Sequence, residues 1–178
     1  MNGEIVVGVC GGIAAYKTAM VVSQLVQGGA KVSVVMTAAA GNFIGPATFA
    51  ALTGRPVATR VFDEAAYPLG AHIELAERGD LLLVAPATAH FLATAANGLA
   101  DDLLSTLYLA FRKPVLIAPA MNNDMWEHKA VQRNVAQLAA DGVHMIPPES
   151  GWLSCRKQGP GRMASPESIL QAIAQHMA

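Results

Sequence analysis

The chain has 178 residues, a formal net charge of −1, and 53% hydrophobic against 14% charged residues. That length suits a single domain that buries a core without crosslinks. With 12 Lys+Arg against 13 Asp+Glu and no basic block, nucleic-acid binding has no electrostatic footprint.

Glu4–Val9 predicts a buried strand and Ala14–Gln27 a helix closed by Gly28-Gly29. Lys31–Met36 follows as a strand, Pro46–Leu52 as a short helix opened by proline, and Val57–Phe62 as a short strand. Leu81–Ala85 reads as a strongly buried strand, with helices at Ala89–Ala96 and Asp101–Phe111. The stretch Leu81–Ala100 carries no Asp, Glu, Lys or Arg, but Pro86, Thr88, His90 and Asn97 interrupt it, so strand-turn-helix explains it better than a membrane span. Val115–Ala118 is a buried strand, Met125–Ala140 a helix stopped at Gly142, and His144–Ile146 a last strand. A Pro/Gly-rich loop then runs from Pro147 to Met163, and Ser165-Pro166-Glu167 opens a C-terminal helix.

Apolar runs alternating with helices imply an α/β fold, a Rossmann-like parallel sheet covered on both faces in one domain spanning residues 1–178. Ligands of such sheets bind beyond the carboxyl ends of the strands. Gly11-Gly12, Thr37, Pro86-Ala87-Thr88 and Pro119-Ala120-Met121-Asn122 all fall there. The low charged share, against a usual ~25%, points to self-association rather than to a membrane. Cys10 and Cys155 form neither a disulfide framework nor a metal pattern, and a reducing, cytoplasmic setting is expected. The N-terminal "MNGEIVVGV" lacks the charged and apolar regions of a signal peptide.

The first turn, "GVCGGIAAYKT", nearly spells two nucleotide motifs. Gly8, Gly11 and Gly12 miss the dinucleotide spacing, and Thr37-Ala38 stands where that fingerprint wants an acid. The P-loop pattern fails because Tyr16 precedes Lys17-Thr18 in place of glycine. Amide donors at a helix N-terminus remain, and these suit a single phosphate monoester such as that of FMN. A tight turn with no ligand fits this segment equally well.

The segments "GGIAAYK", "VMTAAAGNFI", "HIELA", "LLVAPATAHFLATAANGLADDLLST", "APAMNNDMW" and "GWLSCRKQGPGRM" occur in that order. Together they resemble the homo-oligomeric flavin-containing cysteine decarboxylases, nearest to the branch that acts on 4′-phosphopantothenoyl-L-cysteine in coenzyme A biosynthesis. The resemblance implies a flavodoxin-like fold, FMN as cofactor, and a trimer or dodecamer with the flavin at a subunit interface. It implies three catalytic residues. His72 would manage the thiol proton and orient substrate, as suits a group titrating near neutrality. Asn122 would hold the departing carboxylate through a neutral amide, and Cys155 would protonate the enethiolate. Flavin contacts are expected from Gly11, Gly12, Ile13, Thr37, Ala38, Thr88, Ala89, His90, Phe91 and Ala120. Substrate contacts are expected from Met121, Asn122, Leu153 and Ser154, with the Pro147–Met163 loop as a closing flap.

The chemistry explains the flavin. An acylated cysteine has no free amine to form a Schiff base with pyridoxal phosphate, so loss of CO2 would leave an unstabilised carbanion. Oxidising the CH2–S carbon to a thioaldehyde creates an electron sink β to the carboxylate; CO2 then leaves as an enethiolate forms, and reversal of the redox step gives the saturated thiol. Three departures from the family pattern stand out: Cys10 replaces a hydroxyl residue, His90 an asparagine, and Arg156-Lys157 a Gly-Asp pair. The added cations of Arg156 and Lys157 suggest a contact with the substrate phosphate. Competing readings are a peptidyl-cysteine decarboxylase, which stops at the enethiol and has no need of Cys155; a flavin prenyltransferase, which lacks the "PAMN" block; and a non-catalytic flavin-binding regulator, disfavoured by the presence of His72, Asn122 and Cys155 together. A phosphopantothenate-cysteine ligase is expected as a separate chain or a fused domain.

Overall fold

The computed structural model describes residues 3–63 and 65–177. Five parallel strands form one sheet: β1 (Glu4–Val9), β2 (Lys31–Met36), β3 (Leu81–Ala87), β4 (Val115–Pro119) and β5 (His144–Met145), in the spatial order β2-β1-β3-β4-β5. This is the flavodoxin-like doubly wound order, with its switch point between β1 and β3. The strands read as continuous apolar runs because both faces are covered. Odd positions of β1 (Ile5, Val7, Val9) pack with α1 (Ala15–Gln27), α2 (Pro46–Thr53) and α8 (Pro166–His176). On the other face Val6 packs with Leu82, Val84, Ile117 and the inner sides of α3 (Ala71–Arg78), α4 (Ala89–Ala96), α5 (Leu103–Ala110) and α7 (Lys129–Ala140). Strand periodicity of two delivers alternate side chains to the two cores. Gly8 marks a close approach, since a Cβ there would lie 2.4 Å from Leu104 Cδ1.

Two polar devices tie the sheet to its covering. At the carboxyl end, Thr18 on α1 donates to the Ala85 carbonyl at 2.8 Å within the core. At the amino end, the buried Glu4 carboxylate accepts from Ser33 Oγ at 2.8 Å, is bonded by Arg55, and lies 3.4 Å from Arg78 Nε. Both guanidinium groups also reach Ser33 Oγ, at 3.0 and 3.1 Å. A buried carboxylate persists as a charge only with this kind of pairing.

Four elements differ from the sequence expectation. Val57–Phe62 forms no strand; a single bridge, Val35 to Ala58, is all that pairs there. A helix unforeseen in the pattern, α3, fills the stretch between Gly70 and Gly79. Met125–Ala140 is two helices, α6 (Asn123–Trp126) and α7, because the His128 ring accepts the Ala130 N–H at 3.2 Å and starts a new helix. The Pro147–Met163 loop contains an antiparallel hairpin, β6 (Glu149–Trp152) and β7 (Gln158–Arg162). Leu81–Ala100 is β3 and α4, and no helix among the described residues is long and apolar enough to cross a membrane.

Candidate active site

At the carboxyl ends of β1, β2 and β3 lies a cleft of about 280 Å³. Its walls include Gly11 from the turn after β1, Thr37 after β2, and Thr88 to Phe91 at the start of α4. Six of the expected flavin residues thus come together: Gly11, Thr37, Thr88, Ala89, His90 and Phe91. Gly12, Ile13, Ala38 and Ala120 lie outside the lining, with Ile13 exposed at the mouth of α1 and Ala120 bonded through its N–H to Ala87 O at 3.0 Å.

The local chemistry of this end favours an anionic or carbonyl-rich ligand. No side chain caps α1, and the N–H groups of Gly11, Gly12, Ile13 and Ala14 meet no acceptor among the described residues. Free amides at a helix N-terminus with a compact preceding turn make an oxyanion cradle. The turn is held tight by a short 3₁₀ turn over Ala38–Asn42: a Cβ on Gly11 would fall 2.5 Å from Ala39 Cβ. Thr37 and Thr88 each accept a backbone N–H, from Ala40 and Phe91 at 3.3 Å; the Thr37 hydroxyl keeps its proton to donate, and the Thr88 side chain also meets the Cys10 thiol.

Four polar wall residues escaped the sequence reading: Thr94, Asp101, Asp102 and Ser105. Asp102 caps α5, accepting from the Ser105 N–H at 2.7 Å while the Ser105 hydroxyl accepts from the Asp102 N–H at 3.1 Å. The D-x-x-S spacing in "DDLLST" carries that signal. His90 Nε2 stands 4.0 Å from Asp101 Oδ2. Cys10, in the same wall, is buried, and burial pushes its thiol up to about 12 despite its contact with Thr88. It is an inert filler.

Beyond β4 a second cluster forms. Asn122 caps α6, its Oδ1 accepting the Asp124 N–H at 2.8 Å, which turns its Nδ2 toward Cys155 Sγ at 3.3 Å. Asn122 and Cys155, 33 residues apart, are therefore neighbours across the hairpin tip. Met121 lies alongside, its N–H on Gly161 O at 2.9 Å. Leu153 is buried beneath the tip, and Ser154 and Cys155 are exposed. Met125 joins this cluster to the cleft wall. Lys17, which follows the Tyr16 that breaks the P-loop pattern, donates to Met163 O at 3.1 Å and fixes α1 to the end of the hairpin; burial and the nearby Arg162 hold its ammonium below the usual lysine range.

His72 stands apart. It sits half-buried in the first turn of α3, outside the cleft wall and without a hydrogen bond to Asn122 or Cys155. Its Nδ1 is buried and unpartnered, and so is Asn123 Oδ1; these are the two such side-chain atoms among the described residues. Orphaned buried polar atoms in native folds concentrate where a ligand or partner completes the bonding.

A doubly wound α/β domain with an amide-lined cleft at its switch point defines a class of mononucleotide-binding folds. The Flavoprotein family profile matches residues 1–178, and the chain belongs to that family. It is 45% identical over 177 residues to the coenzyme A biosynthesis bifunctional protein CoaBC of Bacillus subtilis, covering 99% of this chain and 44% of that protein. To its Mycobacterium tuberculosis counterpart (strain H37Rv) it is 48% identical over 166 residues, or 93% of this chain and 39% of that one. The chain therefore spans less than half the length of these relatives. Among solved structures, the FMN-dependent cysteine decarboxylase SpaF superposes with a TM-score of 0.86 at 37% identity, covering 99% of this chain and 98% of that one. A PPC decarboxylase mutant complexed with pantothenoylaminoethenethiol gives a TM-score of 0.87 at 27% identity over 98% of both chains.

Proposed function

We propose that the chain is an FMN-dependent carboxy-lyase that converts 4′-phosphopantothenoyl-L-cysteine to 4′-phosphopantetheine in coenzyme A biosynthesis. The observation that carries this reading is the Asn122–Cys155 contact at the carboxyl end of β4, beside a cleft whose donors fit a flavin mononucleotide. The free amides from Gly11 to Ala14 would hold the phosphate, and the Thr37 and Thr88 hydroxyls the polar edge or ribityl chain. Bound there, FMN supplies reversible hydride exchange with the sulfur-bearing carbon of the substrate.

The chain's own residues supply the rest. Asn122 offers Nδ2 to the substrate carboxylate without a formal positive charge, so the carboxylate is held but its departure as CO2 is not opposed. Cys155 then gives its S–H proton to the carbon that lost CO2: the S–H bond breaks, a C–H bond forms, and a thiolate remains to be reprotonated from solvent. Leu153 beneath the tip keeps this end apolar. His72 takes the substrate thiol proton as oxidation begins.

Assembly follows from two features. The cleft, at about 280 Å³, is at the lower edge of small-molecule sites, so part of an FMN would stand outside it. Ile13, just before α1, and Tyr16 and Met20 within it lie exposed at helical spacing. A homo-oligomer, trimer or dodecamer, would cover both the stripe and the flavin, and would bring His72 of a second copy to the site. A cytoplasmic location and a ligase working on the preceding step, fused or separate, complete the reading. The second candidate substrate is a peptide ending in cysteine, whose decarboxylation to an enethiol needs no proton from Cys155.

The test is a visible spectrum of the purified protein, followed by CO2 release from synthetic phosphopantothenoylcysteine and from a cysteine-terminated peptide. Flavin bands and turnover of the first substrate support the reading. A colourless protein that takes up no FMN refutes it. Cys155→Ser should release CO2 yet yield little saturated thiol.

A further inference from the structure

The hairpin meets the segment after β4 through four contacts in series. Met121 N–H donates to Gly161 O at 2.9 Å, and a Cβ on Gly159 would touch Asn123 Cβ at 3.3 Å; these lie at the base. Asn122 Nδ2 on Cys155 Sγ, at 3.3 Å, and Lys157 Nζ on Asp124 Oδ2, at 3.0 Å, lie at the tip. The base is secured by buried Met163 and by Lys17, whereas residues 154–158 are exposed. Within the tip, Leu153 N–H donates to Lys157 O at 2.8 Å and Arg156 N–H to Leu153 O at 2.9 Å. Cys155 and Lys157 thus belong to one hydrogen-bonded turn and move together.

Asn122 to Cys155 is a weak contact, an amide on sulfur. The other tip contact joins full charges, and Asp124 raises the Lys157 ammonium above the usual lysine range through that bond. The Arg156 guanidinium, in contrast, makes no hydrogen bond or ion pair among the described residues, and Arg156 occupies the left-handed turn position, with φ 63°. Of the two cations beside Cys155, one is committed to the tip's anchorage and one is not.

We propose that the Lys157–Asp124 ion pair is a latch that holds the hairpin tip shut and so positions the Cys155 thiol over Asn122. Lys157 is a positioning residue acting through Cys155, and it is spoken for by Asp124 rather than by a substrate phosphate. This rests on the decarboxylase reading for its catalytic consequence but not for its existence. With the latch open, CO2 loss proceeds at Asn122 while protonation of the enethiolate carbon by Cys155 slows.

Two readouts on the FMN-loaded protein test it. The first needs no substrate: the rate at which iodoacetamide alkylates Cys155, at low salt and at about 1 M salt, where screening shortens to roughly 3 Å. Lys157→Ala should speed alkylation about two- to fivefold, the range an exposed ion pair of ordinary strength controls, and remove its salt dependence. Wild type in high salt should reach the variant's rate. Losing a nearby positive charge alone would slow attack by a thiolate, so acceleration reports opening. Lys157→Arg should restore the slow rate, and Arg156→Ala, which removes the uncommitted charge, should leave the tip shut. Asp124→Asn breaks the pair from the other side and serves if Lys157→Ala does not fold. The second readout is the ratio of saturated thiol to CO2, expected near one in wild type and severalfold lower in Lys157→Ala, with enethiol released. Equal alkylation rates for wild type and both latch variants at both salts overturn the latch, as does an unchanged product ratio. Wild type that releases no CO2 would instead overturn the decarboxylase reading, and the alkylation rates would still decide the latch.

Discussion

Gly11→Ala isolates the role of the first turn. The added methyl would sit 2.5 Å from Ala39 Cβ, 2.8 Å from the Ala39 carbonyl carbon and 2.9 Å from its oxygen. Apolar atoms rest at about 3.5–4.0 Å, so the turn after β1 and the 3₁₀ turn after β2 must separate by roughly 1 Å. Two of the three obstacles are backbone, so no side chain can rotate away. Overpacking of this kind costs about 1–3 kcal/mol, and at this chain length each kcal/mol lowers Tm by about 2–4 °C. The apo protein should therefore melt about 5 °C lower. The same displacement moves the amides of Gly11 to Ala14 away from a phosphate; loss of one charge-assisted hydrogen bond, at about 1.5–3 kcal/mol, weakens FMN at least about tenfold. Thermal melting of apo protein and quenching of FMN fluorescence on titration measure the two effects. Gly12→Ala is the control for packing, because its methyl would meet only Pro86 Cγ at an ordinary 3.8 Å. A Gly11→Ala protein that melts with wild type and binds FMN as tightly would refute the cradle.

Thr18→Val should cost about 1–2 kcal/mol in urea unfolding, because it strands the Ala85 carbonyl inside the core; an unchanged midpoint would show that the 2.8 Å bond contributes nothing net. In native protein at pH 8, iodoacetamide should label Cys155 and spare Cys10, whose thiol burial pushes up to about 12; equal labelling of both would contradict the packing of the β1 turn. His144 has its pKa held below the usual histidine value by partial burial and by the charge of the neighbouring His176, whose tilted ring lies 4.4 Å away. The unfolded chain takes up that proton first, so this contribution is complete above about pH 6.5 and is lost as pH falls below it. His176→Gln should raise the His144 titration midpoint in NMR, and a fall or no change would reject the pairing.

The sheet was legible because strands buried on both faces are written as uninterrupted apolar runs, as in Ile5-Val6-Val7 and Leu81-Leu82-Leu83-Val84. Strand ends locate the ligand side of such a sheet, which is why Gly11, Thr37 and Thr88 were found without coordinates. What failed was decided by side chains acting locally. His128 restarts a helix with no glycine or proline to announce it, and the Pro/Gly-rich stretch from Pro147 hides a hairpin whose strands carry Gly151, Gly159 and Gly161. Gly161, at φ 118°, lies so close to Met121 that a Cβ would be 2.4 Å from its carbonyl oxygen, so those glycines serve docking rather than slack. Asp101 and Asp102 were read as a helix start and enter the cleft wall only because α5 folds back over β1 at Gly8. The resemblance supplied His72, Asn122 and Cys155; one chain joins the last two and leaves His72 with an unsatisfied ring nitrogen.

The knot of Glu4, Ser33, Arg55 and Arg78 sits at the opposite rim of the sheet from the cleft. Its members come from four separate stretches of chain, so it staples the first two strands to the connections that follow them. Cutting it at Glu4 would leave two half-exposed cations facing each other without their shared carboxylate, whereas replacing Glu4 together with both arginines by apolar residues would leave nothing to repel. The molecule is thus polarised along its strands, robustness at one rim and reactivity at the other. Directed evolution could rebuild the first rim for heat tolerance while the flavin end keeps the same spare amides, the same two threonines and the same thiol at the tip of its flap.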